Sequence, residues 1–201
     1  MNAYETLVTK VKRLVPVYSR ILNAGASNDA IDQFLKAIKL DVPDSFIQFY
    51  KVCDGGEYEE TVDIESMSFL SLKYVMEDKK MFDNILEKKQ RDNEFFYWHK
   101  DWLPFADNHG YDTIAIDTSG MATGRKGCVL KRSKDLFEGE PMSILAPDFK
   151  TFITGWAKRV EEEQVYSFSE KTDDGKNRLI DEGEYYYNDD NADEAHYMTT
   201  K

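Results

Sequence analysis

Apolar positions recur at helical spacing near the start of the chain. Leu7, Val11 and Leu14 predict a helix over Tyr4 to Arg13, and Pro16 either ends it or starts the next. A second apolar stripe, Ile31, Phe34, Leu35 and Ile38, follows the capping triplet Ser27-Asn28-Asp29. Val42-Pro43-Asp44 resets the chain, and Pro43 or Asp44 opens a third helix holding Phe46, Ile47, Phe49, Tyr50 and Cys53. Asp54-Gly55-Gly56 stops that helix, because glycine takes the left-handed cap conformation that other residues resist.

The period then changes. Met67 to Leu70 reads as a short strand, and Ser71 as the cap of a long helix reaching about Arg91. Strands are predicted near Trp102–Ala106, Tyr111–Asp117, Gly127–Lys131 and Met142–Leu145. Asp148, after Pro147, begins a helix carrying Phe149, Phe152, Ile153, Trp156 and Val160. Helices, then a run of strands, then a helix indicate an α+β single domain, a central antiparallel sheet with helices packed on it, over residues 1–163. Residues 164–201 read as an acidic C-terminal hairpin or tail. Val165 to Phe168 alternates like a strand, Thr172 to Asn177 supplies a turn, and Arg178 to Tyr187 returns. The chain is expected to fray from about Asn188.

Charge refines this picture. The formal net charge is −12 over 201 residues, and from Glu161 to Lys201 there are 13 Asp and Glu against 4 Lys and Arg. The other 160 residues hold 25 acids and 22 bases, so the C-terminal end carries most of the excess. From Asp54 to Glu65 there are six acids and no base. Such surfaces disfavour nucleic acid and anionic lipid, and they attract a basic protein partner by long-range steering. No apolar run approaches the roughly 20 residues that a membrane helix needs, and no signal-peptide core is visible. Cys53 and Cys128 lie in apolar segments and read as buried free thiols in a reducing cytoplasm, rather than nucleophiles or metal ligands.

Three local patterns invite catalysis and are set aside. Ile114 to Gly120 resembles an aspartic-protease strand, but Ser119 interrupts the turn and no second copy supplies the paired carboxylate. Gly120 to Gly127 is glycine-rich, yet no Ser or Thr follows Lys126 and a strand follows, so a hairpin turn is the better reading than a phosphate loop. Asp107, His109 and Asp112 are too few for a metal site and read as a turn. No catalytic residue, metal or cofactor is assigned.

The order of several segments resembles a known family. Pro43-Asp44-Ser45-Phe46-Ile47-Gln48-Phe49-Tyr50, closing with Asp54-Gly55-Gly56, looks like the Leu-Pro-x-x-(Tyr/Phe) helix and Asn-Gly-Gly turn of the SUKH superfamily. Phe69 to Leu72, Trp102 to Asn108 with Gly110, Asp112 and Ile114 to Asp117, then Gly124 to Val129, and Ala146 to Phe149 with Phe152 resemble its later segments in order. The likeness spans residues 27 to 160. Val42 and Asp54 depart from the usual Leu and Asn, and 164–201 has no counterpart.

The resemblance implies a non-enzymatic α+β domain. In bacterial members the implied role is immunity: binding and neutralising a cognate toxin, often a nuclease or deaminase. The alternative is a regulatory interaction scaffold like the fungal cell-wall-assembly regulators. Glu57, Glu59, Glu60, Asp63, Asp107, Asn108 and Asp112 are the candidate contacts for a basic toxin, with Tyr185 and Tyr186 as aromatic anchors in the tail.

Overall fold

The computed structural model describes residues 3–14, 22–56, 67–107, 111–133 and 143–162, and the backbone of 169–171 and 177–179. Helix α1 (Ala3–Leu14) turns Tyr4, Val8 and Val11 inward at positions four and three apart. Helix α2 (Asn28–Ile38) starts where Ser27 accepts the Ala30 N–H at 3.1 Å, and it buries Ile31 and Phe34. It ends at Lys39, whose φ of 53° turns the chain out of the helix. Helix α3 (Asp44–Tyr50) follows Pro43 and buries Phe46, Phe49 and Tyr50. Cys53 lies beyond its end, fully buried, rather than inside it.

Strand β1 (Ser68–Phe69) leads into α4 (Leu72–Arg91), and then come β2 (Trp102–Asp107), β3 (Asp112–Asp117), β4 (Cys128–Ser133), β5 (Ser143–Ala146) and α5 (Phe149–Glu162). The five strands form one antiparallel sheet in the order β1-β2-β3-β4-β5. The chain is thus an α+β single domain, as the order of elements predicts. The backbones of β6 (Ser169–Lys171) and β7 (Asn177–Leu179) pair antiparallel. The strand expected at Val165–Phe168 lies outside the described residues.

Alternation sorts the sheet's two faces. Leu103, Ile114, Ile116 and Val129 enter the main core, whereas Trp102, Ala115 and Leu130 enter a second cluster with Phe82 and Trp98. The pairing of β2 with β3 shifts between Pro104 and Ala106, so Phe105 and Ala106 both belong to the main core. Helix α5 packs on α1, α3, β4 and β5, and α4 packs on α2 and β2. Helix α4 serves both clusters: Leu72 and Val75 join the main core, Phe82 the second. The main core is aromatic at its centre. Phe46 stacks on Tyr50 at 4.2 Å, and Phe105 meets Phe69, Phe149 and Phe152 edge-on.

Two glycines separate conformational strain from steric conflict. Gly55 has φ +60°, and a Cβ there would lie 2.3 Å from the Leu70 carbonyl; Gly124 has φ +72° with open space around it. Urea unfolding should show Gly124→Ala costing about 1 kcal/mol, and Gly55→Ala clearly more, about 3 kcal/mol. Equal costs would contradict the close approach at Gly55.

Candidate functional site

The acidic segment 57–66 is anchored at both ends by one junction. Gly56 donates its N–H to the Phe69 carbonyl at 2.7 Å, and Tyr50 donates its hydroxyl to the Leu70 carbonyl at 2.7 Å. Asn23 N–H reaches the Gly55 carbonyl at 2.9 Å, and its side-chain amide reaches the Asp54 carbonyl at 3.1 Å. The carboxylate of Asp54 accepts the Leu72 N–H at 2.8 Å. Helix α4 is therefore capped by Asp54, eighteen residues away, and not by the side chain of Ser71, which makes no cap bond. Burial raises the Asp54 carboxyl above its usual range, and the Leu72 N–H offsets part of that. Glu57, Glu59, Glu60 and Asp63 themselves lie outside the described residues.

Register gathers further segments at this end of the sheet. Ser68 pairs with Asp107, and Asp112 pairs with Ser133. Segment 57–66 enters β1 here, 108–110 joins β2 to β3, and 134–142 leaves β4. The first holds five acids and no base, the third three acids and one base. Asn108 falls in the middle segment and is not described. Asp112 stands at the rim, half-buried and ion-paired with Lys131 at 3.0 Å.

Asp107 is not a surface contact. It is 2% exposed and accepts the Thr113 hydroxyl at 2.9 Å. The strand alternation that lets Asp107 pair with Thr113 turns both toward the second face, under α4. There it joins charged groups that sequence reasoning did not single out. Arg132 is buried, donates from Nε to the Tyr97 carbonyl at 3.0 Å, and lies over the rings of Phe82 and Phe96. Lys79, also buried, pairs with Asp83, which in turn accepts the Trp98 indole N–H at 2.9 Å.

Asp78 is the strained member. Its Oδ2 accepts no hydrogen bond from the described residues, and burial, then the nearby Asp107 and Glu77, push its carboxyl up to about 7. Between the unfolded value near 3.8 and about 7 the folded chain holds a proton that the unfolded chain lacks. Stability from this group therefore falls as pH rises through that window, by about 1.4 kcal/mol per unit, and levels off above it. Asp78→Asn should gain about 2–3 kcal/mol on the wild type between roughly pH 5 and pH 8. A constant difference in denaturation measurements across that range would contradict the assignment.

The opposite end of the sheet is organised by Asp117, which is fully buried. Its carboxylate accepts the N–H groups of Gly120, Ala122 and Thr123 at 2.9, 3.2 and 3.0 Å, and the hydroxyls of Thr123 and Ser119 at 2.9 and 3.3 Å. This turn joins two antiparallel strands, so it is neither a phosphate loop nor a protease strand with a free carboxylate. Burial pushes the Cys53 thiol up to about 12 and raises that of Cys128, leaving neither as a ready nucleophile. Among the described residues no group of three His, Cys, Asp or Glu is placed to hold a metal ion. No described helix is long and apolar enough to cross a membrane.

The sequence model of the SMI1/KNR4 family (SUKH-1) matches residues 25–155. The chain belongs to this family. The match runs from Gly25, whose Cα lies against the Lys51 carbonyl, through the Asp54 junction and the sheet into α5. Comparison with curated proteins gives no match. The resemblance read from 27–160 therefore coincides with the SUKH-1 region within a few residues at each end, and 164–201 lies beyond it.

The Asp117 turn gives the SUKH-1 domain a direct test. Asp117→Ala strips a buried turn of one acceptor for five donors and should cost about 3 kcal/mol or more in urea unfolding. Asp117→Asn, which keeps one carbonyl oxygen, should cost less. Two equal losses, or none, would contradict the assigned hydrogen bonds.

Proposed function

We propose that this SUKH-1 protein is a non-enzymatic immunity protein of the cytoplasm that occludes a cognate basic toxin, of nuclease or deaminase class, with acidic segments carried on a nearly neutral body. The observation that carries this reading is the partition of charge. The body residues 3–14, 22–56, 67–107, 111–133 and 143–162 hold 19 Asp and Glu against 20 Lys and Arg. The whole excess of negative charge thus falls on the intervening segments and on 163–201. Several body carboxylates are also withdrawn from the surface, since Asp78, Asp107 and Asp117 are buried. A partner meets negative charge chiefly on 57–66, 134–142 and the C-terminal segment, the first two anchored at one end of the sheet. Basic enzymes acting on nucleic acid are the complementary class, and association gains rate from such steering.

The test is co-expression with any toxin-like gene encoded beside this one, scoring growth rescue and co-purification. Rescue with a stable complex is expected. Replacing Glu57, Glu59, Glu60 and Asp63 together by Lys should weaken the complex by about tenfold or more. A complex that survives those reversals moves the interface away from 57–66. Absence of both rescue and complex contradicts immunity to that neighbour and favours the regulatory scaffold, the other role to which the family resemblance points.

A further inference from the structure

Helix α4 is divided between two hydrophobic clusters of unequal size. Its first turn is held firmly. Asp54 accepts the Leu72 N–H at 2.8 Å, and Leu72 and Val75 join the main core, with Tyr74 and Met76 packed against it. Its second half rests on less, because Phe82 and Leu86 belong to the smaller cluster, with Trp98, Trp102, Ala115 and Leu130. The 92–101 connection is tied to that same half. Asp83 accepts the Trp98 indole N–H at 2.9 Å, and Phe82 stacks on Trp98 at 4.5 Å.

The division falls between Met76 and Phe82, and two buried charged residues, Asp78 and Lys79, lie in it. Asp78 is acted on by Asp107 of β2, which is buried and already accepts the Thr113 hydroxyl. The buried cations nearby are engaged with other groups. Lys79 pairs with Asp83, while Arg132 of β4 donates to the Tyr97 carbonyl and is acted on by Asp107 and Asp112. The remaining charges are peripheral. Lys73, Glu77 and Lys80 on α4 are exposed, and so are Asp29, Asp32 and Lys36 on α2, which packs on α4 from the other side of β2. A buried carboxylate whose Oδ2 accepts no bond from the described residues, close to a second buried carboxylate, is costly to keep charged. One proton held there removes both the desolvation cost and the repulsion.

We propose that Asp78 is a proton-operated latch between α4 and β2. Protonated, it rests near Asp107 without repulsion, and the second half of α4 stays on the sheet together with the 92–101 connection. Ionised, it repels Asp107, and those two segments open as a unit while the main core stays closed. Opening bares the aromatic second cluster, above all Phe82, Trp98 and Trp102. In the open form the carboxyl regains water and its ordinary acidity. The opening equilibrium therefore rises with pH from near 3.8 to about 7 and levels off above. Overall stability would follow Asp78 in the same way in a domain that opened all at once. The latch adds a partial opening, and its extent is set by the division of α4 between the two clusters. It involves body residues alone and needs no partner, so it stands apart from the immunity reading.

Amide hydrogen exchange of the full chain from pH 5 to pH 8, corrected for the intrinsic base-catalysed rate, tests this. The open population of residues 80–87 in α4 should rise about 50-fold across that range. At pH 8 it should exceed that of residues 152–157 in α5, which lie on the main core, by about 100-fold or more. In Asp78→Asn the pH dependence of 80–87 should vanish. In Asp107→Asn, which keeps an acceptor for Thr113, the levelling-off should move to lower pH. Exchange of 80–87 and 152–157 with one common open population would overturn the latch, because the domain would then open only as a whole. A wild-type pH profile retained in Asp78→Asn, or in Asp107→Asn, would overturn it as well.

Discussion

The backbone of Gly55 against the Leu70 carbonyl is the contact on which the rest of the domain depends. It admits no side chain, and it lets Gly56 bond to Phe69, Tyr50 to Leu70 and Asp54 to Leu72 within a few residues. Those three bonds join the helical first part of the chain to the edge of the sheet. They also fix where α4 begins, and α4 is the element shared by both hydrophobic clusters. The same junction holds residues on both sides of segment 57–66, since Gly56 bonds to Phe69 just past its far end.

Carboxylates in this protein divide by burial into two kinds of work. Asp54 and Asp117 accept backbone N–H groups and set, respectively, a helix start and a strand turn. Asp107 accepts a hydroxyl beneath α4 beside Arg132, and Asp78 sits there with one oxygen that accepts no bond from the described residues. These groups are costly to bury and are kept where their geometry is needed. The excess of negative charge lies on the other residues of the chain, and the proposed recognition rests on it.

Periodicity made most of this fold legible. Stripes such as Ile31-Phe34 and Phe149-Phe152-Trp156, and the alternation through Ile114 and Ile116, depend only on local spacing, and each falls where it was expected to within a residue or two. What spacing could not reveal is long-range. Ser71 has the identity and backbone of a cap, yet the bond comes from Asp54, which is near only because Gly55 meets Leu70. Asp107 borders a polar turn and looks exposed, but its register opposite Thr113 turns it inward. Asp78 and Arg132 resemble ordinary polar-face residues, and only the crossing of α4 over β2 encloses them. The candidate contacts Glu57, Glu59, Glu60 and Asp63 were legible as composition, and the fold adds where their segment is anchored.

In the proposed reading, recognition is electrostatic and carried by the acidic segments outside a nearly neutral body. That reading is tested by the association rate with the proposed toxin partner, followed by stopped flow from low salt to about 0.3 M. The rate should fall about tenfold or more, with dissociation changing far less. An association rate indifferent to salt would contradict it.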